Sequence, residues 1–304
     1  MPTREQALAY RGLRSPVRWY GGKGQLVGRL VRLVPERWNA YIEPFCGGAS
    51  LFFRLPPADF EVLNDLNTGL MEVYRALADP DVFPRLEVLA RFTPYSRRLW
   101  WWCRKHWDDL EDPAERAWAW WVVARQSFSG HWGHSWPTAI GLTMARSRAV
   151  ENAHAVGRLA VVHERLRRVR VECRDALEVI AEYGKPNTFV YCDPPYVHNT
   201  RRGIIYSHEM GDEAHAHFLD VVLGSPAQVL VSGYDSALYR RLDEAGWERI
   251  EVPTVCHAAG HTRATGILGT GSSLDRQGRV EVLWSNYGQG SEQARLPLEE
   301  DEQQ

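Results

Sequence analysis

Short apolar runs that alternate with amphipathic stretches set the tightest limit on how this chain can fold. Runs of strand character lie at residues 40–43, 60–63, 169–173, 188–192, 228–232 and 249–252, and helical patterns lie between them at 66–77, 176–183, 213–223 and 236–245. Each run is too short for a buried helix and is bounded by turn residues. Parallel strands need crossovers long enough to hold a helix, so strand and helix in alternation predict a mainly parallel sheet covered on both faces. At 304 residues the chain can bury one such α/β core and a smaller unit beside it.

The alternation breaks once. Residues 79–164 are Trp-rich and helical through 113–126, and then enter the loop Ser-Phe-Ser-Gly-His-Trp-Gly-His-Ser-Trp at 127–136. The expected organisation is a discontinuous sheet domain, 1–78 and 165–290, with a mainly helical domain inserted at 79–164. The acidic stretch 291–304 reads as a solvated, disordered tail, and no internal repeat is evident.

Charge and cysteine content exclude several classes. A formal net charge of −2 provides no global basic field. Local arginines interleave with tryptophans (Arg97, Arg98 and Arg104 beside Trp100, Trp101, Trp102 and Trp107), and a second group includes Arg158, Arg165, Arg167, Arg168 and Arg170. These read either as solvated helix faces over core tryptophans or, for a few of them, as contacts to phosphate. Five scattered cysteines without a C-x-x-C pair argue against a disulfide framework or zinc cluster and for a reducing, cytoplasmic setting. His131 and His134 lack Cys or acidic partners at ligand spacing, so no metal is expected. No run approaches a membrane span, and the amino terminus lacks the apolar core of a signal peptide.

Three motifs carry chemistry. Asp193, Pro194, Pro195 and Tyr196 end the run at 188–192 with a carboxylate, rigid carbonyls and an aromatic face. That set can hold a planar base by its exocyclic amine: Asp193 accepts one hydrogen, the Pro194 carbonyl another, and the Tyr196 ring stacks on the base. The freed nitrogen lone pair can then attack a methyl sulfonium in line, with positioning and fixed dipoles as the source of rate. A plain strand-ending turn is the other reading of the same four residues. At 41–50, Tyr-Ile-Glu-Pro-Phe-Cys-Gly-Gly-Ala-Ser reads as a strand, a glycine turn and a helix from Leu51 onward, placed to bring backbone close to a ligand. It is not the dinucleotide fingerprint, which disfavours a nicotinamide or flavin oxidoreductase. Trp-Tyr-Gly-Gly-Lys at 19–23 adds an aromatic wall and an ammonium that can meet a carboxylate.

In this order, and with Asn-Asp-Leu-Asn at 64–67 and Glu-Val-Leu-Trp-Ser-Asn-Tyr at 281–287, the chain resembles the Dam-like, alpha-group DNA adenine-N6 methyltransferases from about residue 18 to 287. The resemblance implies a Rossmann-like sheet that binds S-adenosyl-L-methionine, and an inserted target-recognition domain that reads double-stranded DNA. It implies that Trp19, Gly21 and Lys23 contact the methionine part of the cofactor, with Lys23 near its carboxylate, and that Glu43, Pro44, Phe45 and Gly47 form wall and floor. Asp65 falls at the acidic position near the ribose. Asp175 falls where a carboxylate accepts from the cofactor's adenine, although it also stands where it would cap the helix at 176. Asp193 borders both cofactor and target.

For DNA, Arg125, Ser127, Phe128 and Ser129 match an R-x-x-F-x-G-like stretch, and His131 is a loop donor beside it. Tyr206 is placed to close over an extruded base, because an amine inside a paired duplex cannot be approached in line. The glycine-rich stretch 259–271 reads either as a phosphate-contacting loop, with Arg263 as one contact, or as an ordinary connector. The stretch at 133–141 lacks the basic, Asn-containing sequence of GATC methylases, so GATC is not the expected target. Transfer to a cytosine amine or to RNA adenine on the same fold, and a catalytically silent DNA-binding protein, are the alternatives. One extruded base needs one subunit, so a monomer suffices and the oligomeric state stays open.

Overall fold

The computed structural model describes residues 1–137, 142–196, 210–255 and 278–288. Strands β1 (Ala40–Glu43), β2 (Phe60–Asn64), β3 (Arg170–Glu172), β4 (Thr188–Cys192), β5 (Gln228–Gly233), β6 (Glu248–Val255) and β7 (Gly278–Ser285) form one seven-stranded sheet in the order β3-β2-β1-β4-β5-β7-β6. The first five strands pair in parallel, and β7 runs antiparallel between β5 and β6. The expected mixed α/β, Rossmann-like architecture is therefore present. The seventh strand is an addition, since 281–287 stands out in the sequence as a motif and not as a strand.

Side chains alternate along each strand, and the alternation divides the interior in two. Tyr41, Leu63, Phe189, Tyr191, Leu230 and Leu283 face one core. Ile42, Val62, Val190, Cys192, Val231 and Trp284 face the other, which is covered by α9 (Ala176–Tyr183), α10 (Asp212–Gly224) and α11 (Arg240–Glu244). The pattern expected to be helical at 236–245 is helical only in its second half.

Before β1 lie α1 (Arg4–Ala9) and α2 (Val27–Arg32). After β2 the chain forms α3 (Thr68–Ala78), close to the helix expected at 66–77, and then α4 (Phe83–Arg91), α5 (Arg97–His106), α6 (Pro113–Gln126), α7 (Leu142–Val156) and α8 (Leu159–Leu166), a helical segment where the alternation breaks in the sequence. Asp112 starts α6 by accepting the Glu115 amide at 2.9 Å, with Pro113 at the first helical position. This helix packs against α3, α4 and α5 and buries Trp120 and Trp121 in the same core as the first sheet face. Gly69 permits the α3–α6 contact, because a Cβ there would stand 2.2 Å from the Trp120 ring. A buried ion pair fixes α8 to β2: the Arg165 guanidinium grips both Glu61 carboxylate oxygens, at 2.5 and 2.7 Å.

The helix expected from Leu51 onward is only one 3-10 turn, Phe52–Arg54. Pro56 and Pro57 follow at once, and proline both lacks the N–H that would continue a helix and biases its predecessor toward extended backbone. Among the described residues no helix is long and apolar enough to cross a membrane.

Candidate functional site

Strand order reverses between β1 and β4, because β1 leads outward to β2 and β4 leads the other way to β5. Crevices form at the carboxyl ends of strands on either side of such a point. A cavity of about 290 Å³ occupies this place, and all ten residues expected to hold the cofactor line it: Trp19, Gly21, Lys23, Glu43, Pro44, Phe45, Gly47, Asp65, Asp175 and Asp193.

The glycine turn after β1 is held from several sides. Gly47 has φ +44°, and a Cβ there would meet the Trp19 indole nitrogen at 2.6 Å. Its amide donates to Asp65 Oδ2 at 3.0 Å, and its carbonyl accepts from the buried Tyr74 hydroxyl at 3.0 Å. Asp65 Oδ1 also accepts the Asn67 amide, so this carboxylate shapes the cavity floor as well as lining it. Asn64, a residue without a site role in the sequence motifs, donates to the carbonyls of Pro44 and Arg174 and accepts the Arg174 amide. It locks the loops after β1 and β3 together. Asp175 acts as the helix cap that the simpler reading of the sequence expects, bonding the Leu177 amide of α9 at 2.7 Å, while also facing the cavity. Trp19 stacks on Trp120 at 6.2 Å, and Trp120 on Trp132 at 5.7 Å, which ties the cavity wall to the helical segment.

Glu43 is buried at the end of β1, where its Oε1 accepts the Tyr41 hydroxyl and, at 2.7 Å, the Phe52 amide. Burial pushes its carboxyl up to about 8, with the Asp193 charge adding in the same direction. Near neutral pH it is therefore chiefly the acid form.

Asp193, directly after β4, sits in a polar knot drawn from four parts of the chain. Lys23 Nζ stands 2.6 and 2.7 Å from its two carboxylate oxygens, and Ser232 Oγ donates to Oδ1 at 2.9 Å. Lys23 also donates to the Tyr196 hydroxyl at 2.5 Å and lies 3.4 Å from Glu281. The Tyr196 hydroxyl donates in turn to Glu281 Oε1 on β7, and the Tyr196 ring packs on Tyr234 at 4.4 Å. Burial, reinforced by the Asp193 charge, raises the Glu281 carboxyl despite the opposing Lys23 ammonium.

Two of these contacts are not announced by the sequence. Lys23, expected near a cofactor carboxylate, meets the Asp193 carboxylate in the cavity wall. The Tyr196 hydroxyl, which has no part in the stacking role expected of its ring, is a link in the knot. Sequence reasoning misses Glu281 and Ser232 as site residues; the signal for Glu281 is a lone carboxylate inside the apolar stretch Val280-Glu-Val-Leu-Trp284.

The residues expected to touch DNA are dispersed in character. Phe128 and Ser129 are exposed at the tip after α6, and Ser129 takes φ +53°. The His131 ring lies 4.4 Å from Tyr20 at the edge of this tip. Arg125 is only 8% exposed and donates to the Glu151 carbonyl at 3.1 Å. Ser127 is fully buried: its hydroxyl donates to the Val123 carbonyl and accepts from the Trp100 indole and the Gly133 amide. It holds the loop together from the buried side, because four residues beyond Val123 it shares that residue's inward face. Tyr206 and Arg263 lie outside the described residues.

The chain is 45% identical over 67 residues to the Type II methyltransferase M1.LlaDCHI of Lactococcus lactis subsp. cremoris, covering 22% of this chain and 23% of that protein. It is 38% identical over 64 residues to the Type II methyltransferase M.CviBI of Paramecium bursaria Chlorella virus NC1A, covering 21% and 25%. It is 26% identical over 199 residues to the Type II methyltransferase M.MjaIII of Methanocaldococcus jannaschii, covering 59% and 68%. The chain thus matches about a quarter of the length of the first two relatives and about two thirds of the third. A sequence model of the D12 class N6 adenine-specific DNA methyltransferases matches residues 19–252, a span that holds the glycine turn, the helical segment and the Asp193 motif, and the chain belongs to that family.

Proposed function

We propose that this protein is an S-adenosyl-L-methionine-dependent DNA adenine-N6 methyltransferase of the Dam-like, alpha-group kind, acting on an adenine extruded from duplex DNA. The observation that carries the reading is the meeting of the Asp193 motif with a cavity at the β1/β4 reversal, lined by aromatic walls, a glycine turn and separate carboxylates.

The residues present fit the cofactor. Gly47 lets the Trp19 indole close onto the glycine turn, where any Cβ would clash with it, and Trp19 and Phe45 offer apolar faces to the cavity. Asp65 and Asp175 supply acceptors suited to hydroxyl and amine hydrogens. When bound, S-adenosyl-L-methionine supplies an electrophilic methyl group.

The chain's own residues do the rest. Asp193 has about four lone-pair sites, of which Lys23 occupies one on each oxygen and Ser232 a second on Oδ1. Oδ2 can therefore accept an amine hydrogen while Ser232 keeps the carboxylate oriented. The Pro194 carbonyl accepts the second hydrogen, and Tyr196 lays its ring along the base. With both hydrogens held, the nitrogen lone pair is free to react, and the proton then lost by the amine passes to Asp193 and on to water. Glu43, in its acid form, adds no second full charge behind Asp193 at neutral pH. The helical segment and the tip at 127–136 serve as the target-recognition part.

Labelled methyl transfer to unmethylated duplex DNA, followed by nucleoside analysis, tests this reading. Label in 6-methyladenine is expected. Label in cytosine would overturn the acceptor, and labelling of RNA in preference to duplex DNA would overturn the substrate.

A further inference from the structure

A second, larger cavity of about 760 Å³ adjoins the first and shares Trp19, Gly22, Gly48 and Ser50 with it. Its character is different. Four arginines line it from three separate parts of the chain: Arg14 and Arg18 ahead of the first glycine turn, Arg54 from the 3-10 turn after β1, and Arg125 from the last turn of α6.

Two of these cations keep donor capacity in reserve. Glu151 of α7 approaches Arg18 at 3.6 Å, and its carbonyl takes one Arg125 hydrogen bond. The Nε atoms of Arg54 and Arg125 are both buried and have no hydrogen-bond partner among the described residues. A guanidinium carries five donor hydrogens in a fixed fork, so Arg125 in particular is under-used. Like charges also press on one another here. Burial, then the neighbouring Arg18 charge, lowers the Arg125 guanidinium to about 10. An anion seated among these groups would offset the like charge and take up the unused donors.

We propose that this arginine basin is a binding site for backbone phosphate of the DNA substrate, with Arg14 and Arg18 as direct contacts and Arg125 as the buried cation behind them. The inference rests on the reading of the protein as a DNA methyltransferase. Phosphate matches the chemistry because it offers several acceptor oxygens around a spread negative charge, the geometry that arginine forks grip. A strand of DNA matches the shape, because Arg14 and Ser129 line the basin toward solvent and so meet a ligand that extends out of it. The location fits as well, since phosphates held here lie beside the cavity into which the target base must turn, and such contacts fix register without reading sequence.

The test is the salt dependence of binding to a short unmethylated duplex, measured for the wild type, Arg14→Gln, Arg18→Gln, the double variant and Glu151→Gln. Cofactor affinity is measured in parallel by calorimetry. Removing one phosphate contact should lower the slope of log K against log salt by about 0.9, with cofactor affinity retained. Glu151→Gln removes a competing carboxylate and should tighten DNA binding, an effect that damage to the fold cannot imitate. A double variant with the wild-type slope overturns the basin as a phosphate site while leaving the methyltransferase reading intact. Loss of cofactor affinity with unchanged DNA affinity overturns it in favour of the cofactor's carboxylate. A wild type that neither binds nor methylates duplex DNA overturns the parent reading as well.

Discussion

Replacing Glu43 by glutamine should remove an alkaline penalty on folding. Glu43 is buried with its Oε1 bonded to Tyr41 and Phe52, and burial lifts its carboxyl from 4.5 to about 8. Each tenfold change in acidity is worth about 1.36 kcal/mol, so ionising it in the folded protein costs on the order of 4–5 kcal/mol more than in the unfolded chain. Below about pH 4.5 both states hold the proton and there is no slope. Between there and about pH 8 the folded state binds more protons than the unfolded one, so stability falls as pH rises; above about pH 8 the loss is complete. Glutamine imitates the protonated acid and keeps an oxygen for Tyr41 and Phe52. Urea unfolding across this range should give curves for wild type and Glu43→Gln that nearly meet at the acid end. They should separate by up to about 1.4 kcal/mol per pH unit toward the alkaline end, with the variant more stable. Parallel curves over the whole range would refute the assignment of a neutral, buried Glu43.

Three further outcomes follow from named contacts. Tyr196→Phe deletes a hydroxyl that accepts from Lys23 and donates to Glu281, so transfer should slow by the equivalent of about 1.5–3 kcal/mol, and Tyr196→Ala, which also removes the ring, should slow it more; equal rates for wild type and the Phe variant would contradict the knot. Gly69→Ala drives a methyl group into the Trp120 ring and should cost about 1–3 kcal/mol in chemical unfolding, and a neutral result would mean that α3 and α6 do not approach as described. Arg165→Met strands Glu61 in the interior at about 3–5 kcal/mol, and adding Glu61→Gln should recover part of that loss; no recovery would place the damage elsewhere than in the ion pair.

Much of the sheet is legible in the sequence because its information is local. β1 and β4 are short runs of β-branched and aromatic residues that end in turn residues, and their limits can be read directly. β7 escapes because Glu281 breaks its apolar pattern, and the carboxylate that hides the strand is the one that closes the site. The single 3-10 turn after Leu51 is foreseeable from Pro56 and Pro57, but the apolar pair before them outweighs that signal. In the site, the cavity lining is legible from motifs, since each motif brings its own strand end or glycine turn. What the sequence does not carry is the pairing among motifs. Lys23 and Asp193 are 170 residues apart, and only the strand order brings them together. The arginine basin is hidden for the same reason, as its members come from three distant segments, each ordinary alone. Ser127 shows the converse: matching a motif by residue type says nothing about which way the side chain faces.

On the proposed mechanism Asp193 acts on the target amine, and the cofactor is held mainly by the rest of the cavity. Asp193→Ala should be compared with wild type in labelled methyl transfer to duplex DNA and in calorimetric binding of S-adenosyl-L-methionine. Transfer should fall by at least about 100-fold, the scale of losing one preorganised electrostatic interaction, with cofactor affinity largely retained. A loss of cofactor affinity that matches the loss of rate, or transfer that persists without the carboxylate, would contradict that mechanism.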